Sequence, residues 1–309
     1  MHIVSVINYK GGVGKTTLTA NLGAELAYRG CRILLLDLDP QASLTFSFFK
    51  PDYWRENLAK DGTIKRWYDS FSGQKAMDLA SIIISPPSIE PYLRRNGGAL
   101  DLVPSDLGLI NVDLELATEL GGANLTQAKL RYLRVHRRLA DELAKPAFAS
   151  YDFVLIDCPP NFNIVTKTAI VASDSILIPA KADYLSTLGI EYLHSSLNQL
   201  VTDYNEFAQL APDESENQSV NPQILGVVFA MLQFYGGQPI TALRQYIEQT
   251  KQLGLPVFDG YLRENKSLFG DAPEEGVPLV LRDIPGQNAR RVIDEIETLV
   301  TEFQSRLET

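Results

Sequence analysis

Residues 10–17 read Lys-Gly-Gly-Val-Gly-Lys-Thr-Thr, and they directly follow the apolar run at residues 2–8. A buried strand that turns through glycines into a helix near Lys15 forms a phosphate cradle. The reason is that backbone N–H groups close on the anion while the helix N-terminus adds partial positive charge. The sequence therefore predicts a nucleotide phosphate site. The predicted contacts are Lys10, Gly11, Gly12, Val13, Gly14, Lys15, Thr16 and Thr17.

The stretch departs in one respect from the usual pattern G-x-x-x-x-G-K-[ST]. In that pattern the lysine, here Lys15, reaches the β- and γ-phosphates, and the hydroxyl of Thr16 binds Mg²⁺. The first glycine is replaced by Tyr9, and a second lysine, Lys10, follows it. The glycines alone could make only a tight strand–helix turn, but the flanking strand and helix favour phosphate binding. Lys10 needs an explanation of its own.

Two later apolar runs end in carboxylates. The runs at residues 31–37 and 151–157 finish in Asp37 and Asp157, and Asp39 follows the first of them. Ligands of open α/β sheets bind at the carboxyl ends of the strands. An apolar strand that ends in aspartate is typical of a Walker B element, which holds Mg²⁺. A single such aspartate is more often a helix N-cap, but three strand ends suited to phosphate in one chain favour the magnesium interpretation.

Together these stretches resemble the ParA/MinD family of deviant-Walker-A ATPases, and more closely the ParA (Soj-type) DNA-partitioning branch. The matching segments are spread over nearly the whole length, in family order. They are residues 10–17, 35–41 (LLDLDPQ), 102–105 (LVPS), 151–160 (YDFVLIDCPP), 175–179 (SILIP), 188–189, 224–231 and 272–273. The resemblance implies an α/β fold with a mostly parallel central sheet flanked by helices, the P-loop NTPase fold of the deviant Walker A type.

The resemblance also implies ATP and Mg²⁺ as cofactors and an ATP-dependent sandwich homodimer. Lys10 would be the signature lysine that reaches the partner's nucleotide, and Asp39 would orient the attacking water in switch I, the segment after residues 31–37. Asp157 would lie near Mg²⁺ in switch II, and Asp37 would either support a magnesium ligand from behind or be a group on the magnesium side. The implied catalytic set is Lys10, Lys15, Asp39 and Asp157, and the implied metal set is Thr16, Asp37, Asp39 and Asp157. Further nucleotide contacts are expected from Gln41 and from Met231, which ends a late strand.

The chemistry agrees with this assignment. Phosphoryl transfer requires positioning and charge neutralisation more than covalent catalysis. A lysine supplied by a second subunit can act as an arginine finger does, which makes hydrolysis depend on dimerisation. Because the only positive charges are Lys10, Lys15 and Mg²⁺, we expect slow ATP hydrolysis until a partner stimulates it.

Composition sets the broad class. The chain has 309 residues, of which 45% are hydrophobic and 21% charged, and the apparent alternation of strands and helices predicts one P-loop ATPase domain over residues 1–309. No run approaches the ~18 apolar residues of a membrane span, so no membrane partner is expected. Cys31 and Cys158 are the only cysteines, and they are interpreted as buried thiols of a cytoplasmic protein. The polar, acidic residues 211–219 are expected to form a solvated loop.

DNA binding is the harder prediction, since the formal net charge is −10. In the resembled family, non-specific DNA contacts come from basic residues near a segment that this chain matches only loosely. The candidates are Arg263, Lys266, Arg290 and Arg291. Binding of this kind would make the protein nucleoid-associated, with a ParB-like or other adaptor stimulating the ATPase. The cargo could be a plasmid, a chromosome or a protein body such as a carboxysome.

Two alternatives remain open. MinD-like relatives, which position cell division, end in a basic amphipathic helix that binds membranes. Residues 292–307 carry an apolar stripe, but the opposite face is acidic, so this helix is expected to pack on the sheet. The other alternative is a metabolic or redox enzyme on the same fold. A reductase with paired cysteines at its dimer face is disfavoured, because Cys31 enters its strand at the end opposite the phosphate loop.

Overall fold

The computed structural model describes residues 1–72, 77–209, 218–235, 238–239, 241–270 and 272–308. Within these residues six strands form one all-parallel sheet in the order β3-β2-β4-β1-β5-β6. The strands are β1 (His2–Val6), β2 (Arg32–Asp37), β3 (Ala99–Val103), β4 (Phe153–Asp157), β5 (Ser175–Ala180) and β6 (Gln223–Phe229). A separate antiparallel pair is β7 (Phe234–Tyr235) with β8 (Gln238–Pro239). The α/β class and the parallel sheet are confirmed.

The helices vary widely in length. They are α1 (Lys15–Tyr28), α2 (Ser43–Phe46), α3 (Pro51–Asn57), α4 (Ile64–Asp69), α5 (Glu90–Leu93), α6 (Leu109–Glu119), α7 (Leu125–Leu143), α8 (Ile164–Ala172), α9 (Tyr184–Ala208), α10 (Thr241–Gln252), α11 (Lys266–Gly270), α12 (Ala272–Glu275) and α13 (Gln287–Leu307). Short 3₁₀ turns lie at Ser70–Ser72, Leu79–Ile82, Pro146–Phe148 and Leu279–Leu281.

The expected alternation of strand and helix is interrupted in two places. Four short helices, α2 to α5, lie between β2 and β3. After β6, the described residues form single parallel bridges from Val227 to Val257 and from Leu232 to Arg263. Seven residues of the predicted acidic loop, 211–217, lie outside the described part of the chain.

Apolar cores lie on both faces of the sheet. Along β2, Ile33 and Leu35 belong to the core beneath α1 and α13, whereas Leu34 and Leu36 belong to the core beneath α6 to α9. A parallel strand with both faces buried reads as a continuous apolar run, which explains the pattern in the sequence. The arrangement leaves the carboxyl ends of the strands free to build a site.

The last helix packs as the sequence predicts. The apolar side of α13 is buried, including Val292, Ile296 and Phe303, and it belongs to the same core as α1. Its acidic residues Asp294 and Glu302 lie outside that apolar stripe. No described helix combines the length and apolar character needed to cross a bilayer.

Replacing Phe303 with alanine tests this packing. Phe303 is fully buried and contacts the ring of Phe153 at a centroid distance of 6.0 Å. We expect the free energy of unfolding, measured by urea denaturation, to fall by about 3–5 kcal/mol. Thr298→Ala, on the exposed side of the same helix, should change it by less than about 0.5 kcal/mol. Equal effects of the two substitutions would show that α13 is not part of the core.

Candidate active site

The phosphate loop connects β1 to α1, and its backbone requires glycine at two positions. Gly12 and Gly14 have φ angles of 68° and 88°, in the left-handed region that side chains with a Cβ rarely adopt. A Cβ on Gly14 would also lie 3.0 Å from Cε of Met231. The loop therefore has the shape that presents N–H groups to an anion at the start of α1.

Lys15 is buried at the centre of this loop. Its ammonium donates hydrogen bonds to the carbonyl oxygens of Asn8 and Lys10, each at 3.2 Å. Burial lowers the pKa of Lys15, although the charges of Asp157 and Asp39 oppose that shift. A triphosphate in the loop would supply negative charge directly to this desolvated ammonium, so the environment fits the predicted role of Lys15.

Asp157 ends β4 beside the phosphate loop. One of its carboxylate oxygens, Oδ2, accepts a hydrogen bond of 2.7 Å from the hydroxyl of Thr16. The other, Oδ1, is buried and finds no hydrogen-bond partner among the described residues. Burial raises the pKa of Asp157 well above its usual range, and the neighbouring Asp37 raises it further.

The oxygen atoms of Asp157 and Thr16 are suited to magnesium. Among the described residues no three His, Cys, Asp or Glu side chains converge into a ready-made metal cluster. Magnesium rarely uses such a cluster, because it is usually held by one or two carboxylates, substrate phosphates and water. The unpaired oxygen of Asp157 and the hydroxyl of Thr16 are therefore the groups that would hold the ion next to a triphosphate.

Asp37 is fully engaged within the chain. Its Oδ2 accepts hydrogen bonds of 2.7 Å from both the backbone N–H and the hydroxyl of Thr45, and its Oδ1 accepts one of 3.2 Å from the N–H of Asp39. Complete burial raises the pKa of Asp37 to about 7. We therefore expect Asp37 to act on magnesium indirectly, by holding the start of switch I beside β2.

Asp39 lies on the switch I turn and faces the cavity. Its Oδ1 accepts a hydrogen bond of 2.9 Å from the N–H of Gln41, and its backbone carbonyl accepts one of 2.7 Å from Ser105. The next residue but two, Ala42, has a φ of 52°. The turn thus fixes the Asp39 backbone while the residue stays partly exposed at the cavity wall, as a residue that orients water must be.

The phosphate loop opens into a cavity of about 450 Å³, a usual size for a small-molecule site. Met231, which the sequence predicts as a nucleotide contact, lies on its wall with a φ of 57°. Phe269 and Pro278 also line the cavity, and sequence reasoning missed both. The predicted residues on the wall are Gly11, Gly12, Gly14, Lys15, Thr16, Thr17, Asp39, Gln41 and Met231.

Lys10 is not part of that wall. Its ammonium donates hydrogen bonds to Oδ2 and Oδ1 of Asp183, at 2.8 and 2.9 Å, and to the hydroxyl of Ser186 at 3.2 Å. Lys10 therefore lies against α9 of its own chain, outside the cavity that Lys15 lines.

The four DNA candidates differ in how far their side chains are exposed. Arg263 forms an ion pair with Glu295, and only 20% of its side chain is exposed. Arg290 is exposed and pairs with Asp294 at 2.8 Å, and Arg291 is exposed on the same helix. The side chain of Lys266 lies outside the described part of the chain.

Comparisons with known proteins show the family of the chain. A family model described as an AAA domain matches residues 1–210. The sporulation initiation inhibitor protein Soj of Bacillus subtilis is 29% identical over 297 residues, which cover 94% of this chain and 95% of Soj. The chromosome partitioning protein ParA of Caulobacter vibrioides is 27% identical over 92% of this chain and 88% of its own length. The chain belongs to the ParA/MinD family, on its partitioning branch.

Solved structures show the same fold as this ParA-family chain. An McdA–ATP complex from Cyanothece superposes with a TM-score of 0.67 at 21% identity, over 100% of this chain and 96% of the other. Cobyrinic acid a,c-diamide synthase from Mycobacterium smegmatis, with an ATP analogue and magnesium, gives 0.65 at 21% identity over 99% and 96%. Since McdA and cobyrinic acid a,c-diamide synthase superpose on this chain with similar TM-scores, the fold alone does not select the function.

Proposed function

We propose that this ParA-family protein is an ATPase that dimerises on binding ATP and Mg²⁺, binds DNA without sequence preference, and positions a cargo through adaptor-stimulated hydrolysis. The observation that carries the proposal is the place of Lys10. The phosphate loop of one chain already has its own lysine, Lys15, whereas Lys10 lies outside the cavity. A second lysine there has a purpose if it serves the triphosphate of another subunit.

The residues divide the work of hydrolysis. Bound magnesium would neutralise charge on the β- and γ-phosphates. Lys15 and the loop N–H groups bind the phosphates, Thr16 and Asp157 hold the ion, and Asp39 orients the attacking water. Because Lys10 arrives only with the partner, hydrolysis follows dimerisation. The slow basal rate expected from the sequence fits a site with few positive charges.

The surface around Lys10 is suited to a second copy. Large apolar side chains are exposed on the first three turns of α9, immediately after Asp183. The exposed fractions are 61% for Tyr184, 67% for Leu185, 45% for Leu188 and 66% for Tyr192. A contiguous apolar patch of this kind is typical of a protein–protein contact. The patch and Lys10 would be covered by the same event.

Neither alternative fits as well. A MinD-like protein needs an apolar helix face for the membrane, but the apolar face of α13 is buried against α1. A metabolic enzyme on this fold would share the likeness to the synthase, yet Soj and ParA are similar in sequence to this chain over more than 90% of its length. A thiol redox site is disfavoured, because Cys158 is fully buried and Cys31 lies just before β2, at the end of that strand away from Asp37 and the phosphate loop.

Retention on DNA tests the function. With Mg²⁺ and ATP, the wild-type protein should bind non-specific duplex DNA, measured by fluorescence anisotropy, and ADP should abolish that binding. Arg290 and Arg291 are the exposed candidates, so the variant Arg290→Ala/Arg291→Ala should bind more weakly to every sequence. The slope of the logarithm of its binding constant against the logarithm of the salt concentration should become less negative. We expect a change of about 0.9 for each phosphate that the variant no longer neutralises.

The matched control is Arg94→Ala/Arg95→Ala, which removes two exposed arginines, one of which pairs with Glu90. Affinity that does not depend on the nucleotide would refute the proposed switch. If the binding constants of the wild-type protein and of Arg290→Ala/Arg291→Ala depend equally on salt concentration, DNA binds elsewhere.

A further inference from the structure

The ammonium of Lys10 is fully occupied within its own chain. It can donate three hydrogen bonds, and it makes three, to the two carboxylate oxygens of Asp183 and to the hydroxyl of Ser186. These partners lie 173 and 176 residues further along the chain. The ion pair is only partly shielded, with 34% of the Lys10 side chain and 41% of the Asp183 side chain exposed.

The neighbouring residue attaches the same loop to α9. The ring of Tyr9 lies 5.2 Å from the ring of Tyr192 and 5.7 Å from that of Phe162, between centroids. Phe162 belongs to the segment between β4 and α8. The backbone before the phosphate loop is therefore fixed against α9 at two points, Tyr9 and Lys10.

Asp183 has a fixed position of its own. It is the N-cap of α9, and its Oδ1 accepts a hydrogen bond of 2.8 Å from the N–H of Ser186. Burial alone would raise the pKa of Asp183, but the hydrogen bonds from Lys10 and Ser186 lower it. The N-cap bond to Ser186 thus orients the carboxylate independently of Lys10.

Lys10 cannot keep all three of these bonds and also donate to the triphosphate of another subunit. We propose that Asp183 is a positioning residue that holds Lys10 against α9 in the nucleotide-free chain, so that this latch (Lys10, Asp183 and Ser186) must open before ATP-driven dimerisation. The proposal rests on the function proposed above. It adds a free-energy cost to dimerisation, called the threshold below, because the ion pair is broken in both subunits when one dimer forms.

The threshold should be modest. Partly exposed ion pairs are weak, so releasing one latch should change an equilibrium by about threefold, and releasing two by about tenfold. Such a latch would not block the ATP-bound dimer. It would suppress pairing at low nucleotide and low protein concentration.

Asp183→Asn is the direct test, because asparagine is also a good N-cap and the substitution removes only the charge. We expect the dissociation constant of the ATP-bound dimer, measured by analytical ultracentrifugation, to fall about tenfold at low salt. The difference from wild type should shrink as salt screens the pair. The control is Glu90→Gln, which breaks the exposed ion pair with Arg94 and should leave the constant unchanged. An unchanged or higher constant for Asp183→Asn would overturn the latch.

A second measurement needs no dimer. In the nucleotide-free wild-type protein, Lys10 should react slowly with an amine-directed acetylating reagent, as followed by peptide mass spectrometry. Asp183→Asn should speed the reaction at Lys10 severalfold and leave the other lysines unaffected, whereas equal rates at Lys10 would contradict the latch alone. A wild-type protein that stays monomeric at saturating ATP and Mg²⁺ would remove the proposed dimer and the threshold together.

Discussion

Replacing Asp39 with alanine should leave ATP bound but almost unhydrolysed, and should therefore trap the dimer. Asp39 faces the cavity from the switch I turn, where its carboxylate can orient water opposite the γ-phosphate. Losing that group should lower the rate of phosphate release, measured under single-turnover conditions, by about 100-fold or more. The proposed function has hydrolysis end the dimer, so light scattering should show the mass of two chains for as long as ATP is present.

A matched variant separates chemistry from turn structure. The Oδ1 of Asp39 also accepts a hydrogen bond from the N–H of Gln41, and asparagine keeps that acceptor while it removes the charge. We expect Asp39→Asn to be nearly as slow as Asp39→Ala. If Asp39→Asn hydrolyses ATP at the wild-type rate, Asp39 merely shapes the turn. Rapid hydrolysis by Asp39→Ala would eliminate the assigned role altogether.

Lys10→Ala should abolish ATP-dependent dimerisation. A hydrogen bond to a charged group contributes about 1.5–3 kcal/mol, and a dimer would contain two such lysine–phosphate contacts. Their loss corresponds to about 3–6 kcal/mol, or roughly a 10²- to 10⁴-fold higher dissociation constant. Binding of ATP to the single chain, measured with a fluorescent analogue, should change only a few-fold, because Lys10 is not on the cavity wall.

Lys15→Ala is the informative comparison for that experiment. Lys15 lines the cavity, so its loss should abolish nucleotide binding itself, and dimerisation only as a consequence. The Lys15→Ala variant should thus be defective in nucleotide binding, whereas the Lys10→Ala variant should be defective in dimerisation. If Lys10→Ala loses nucleotide binding to the same extent as Lys15→Ala, both lysines serve the same triphosphate.

Much of the fold and site could be predicted because the signals are local. The phosphate loop needs glycines at positive φ directly before a helix, and the eight consecutive residues 10–17 contain glycines at those positions. The strand ends that carry Asp37 and Asp157 follow from apolar runs. These strands are neighbours in register, so their carboxylates lie side by side. The burial of α13 follows from its apolar period.

Other features depend on contacts that no local pattern contains. The bond from Lys10 to Asp183 joins residues 173 positions apart, and neither residue predicts the other. Phe269 and Pro278 reach the cavity from a stretch of short helices and turns without a clear period. A lone aromatic residue there gives no signal that it lines a site.

The pairing of charges within the fold is another feature that the sequence does not show. Asp37 looks like a metal ligand in the sequence, but the N–H and hydroxyl of Thr45 occupy one of its oxygens. Arg263 looks like a free cation, but Glu295 lies beside it across the packing of α13. Composition counts such residues as available charge, and only the tertiary structure shows which of them are already neutralised.

The central claim is that Lys10 leaves its own chain to serve the nucleotide of a partner. The most direct test is a crystal structure of the Asp39→Ala variant with ATP and Mg²⁺. We expect two chains face to face, with each Lys10 ammonium within hydrogen-bond distance of a phosphate oxygen in the other chain and no longer bound to Asp183. A single chain with Lys10 still on Asp183, or a dimer with Lys10 directed into solvent, would contradict the account.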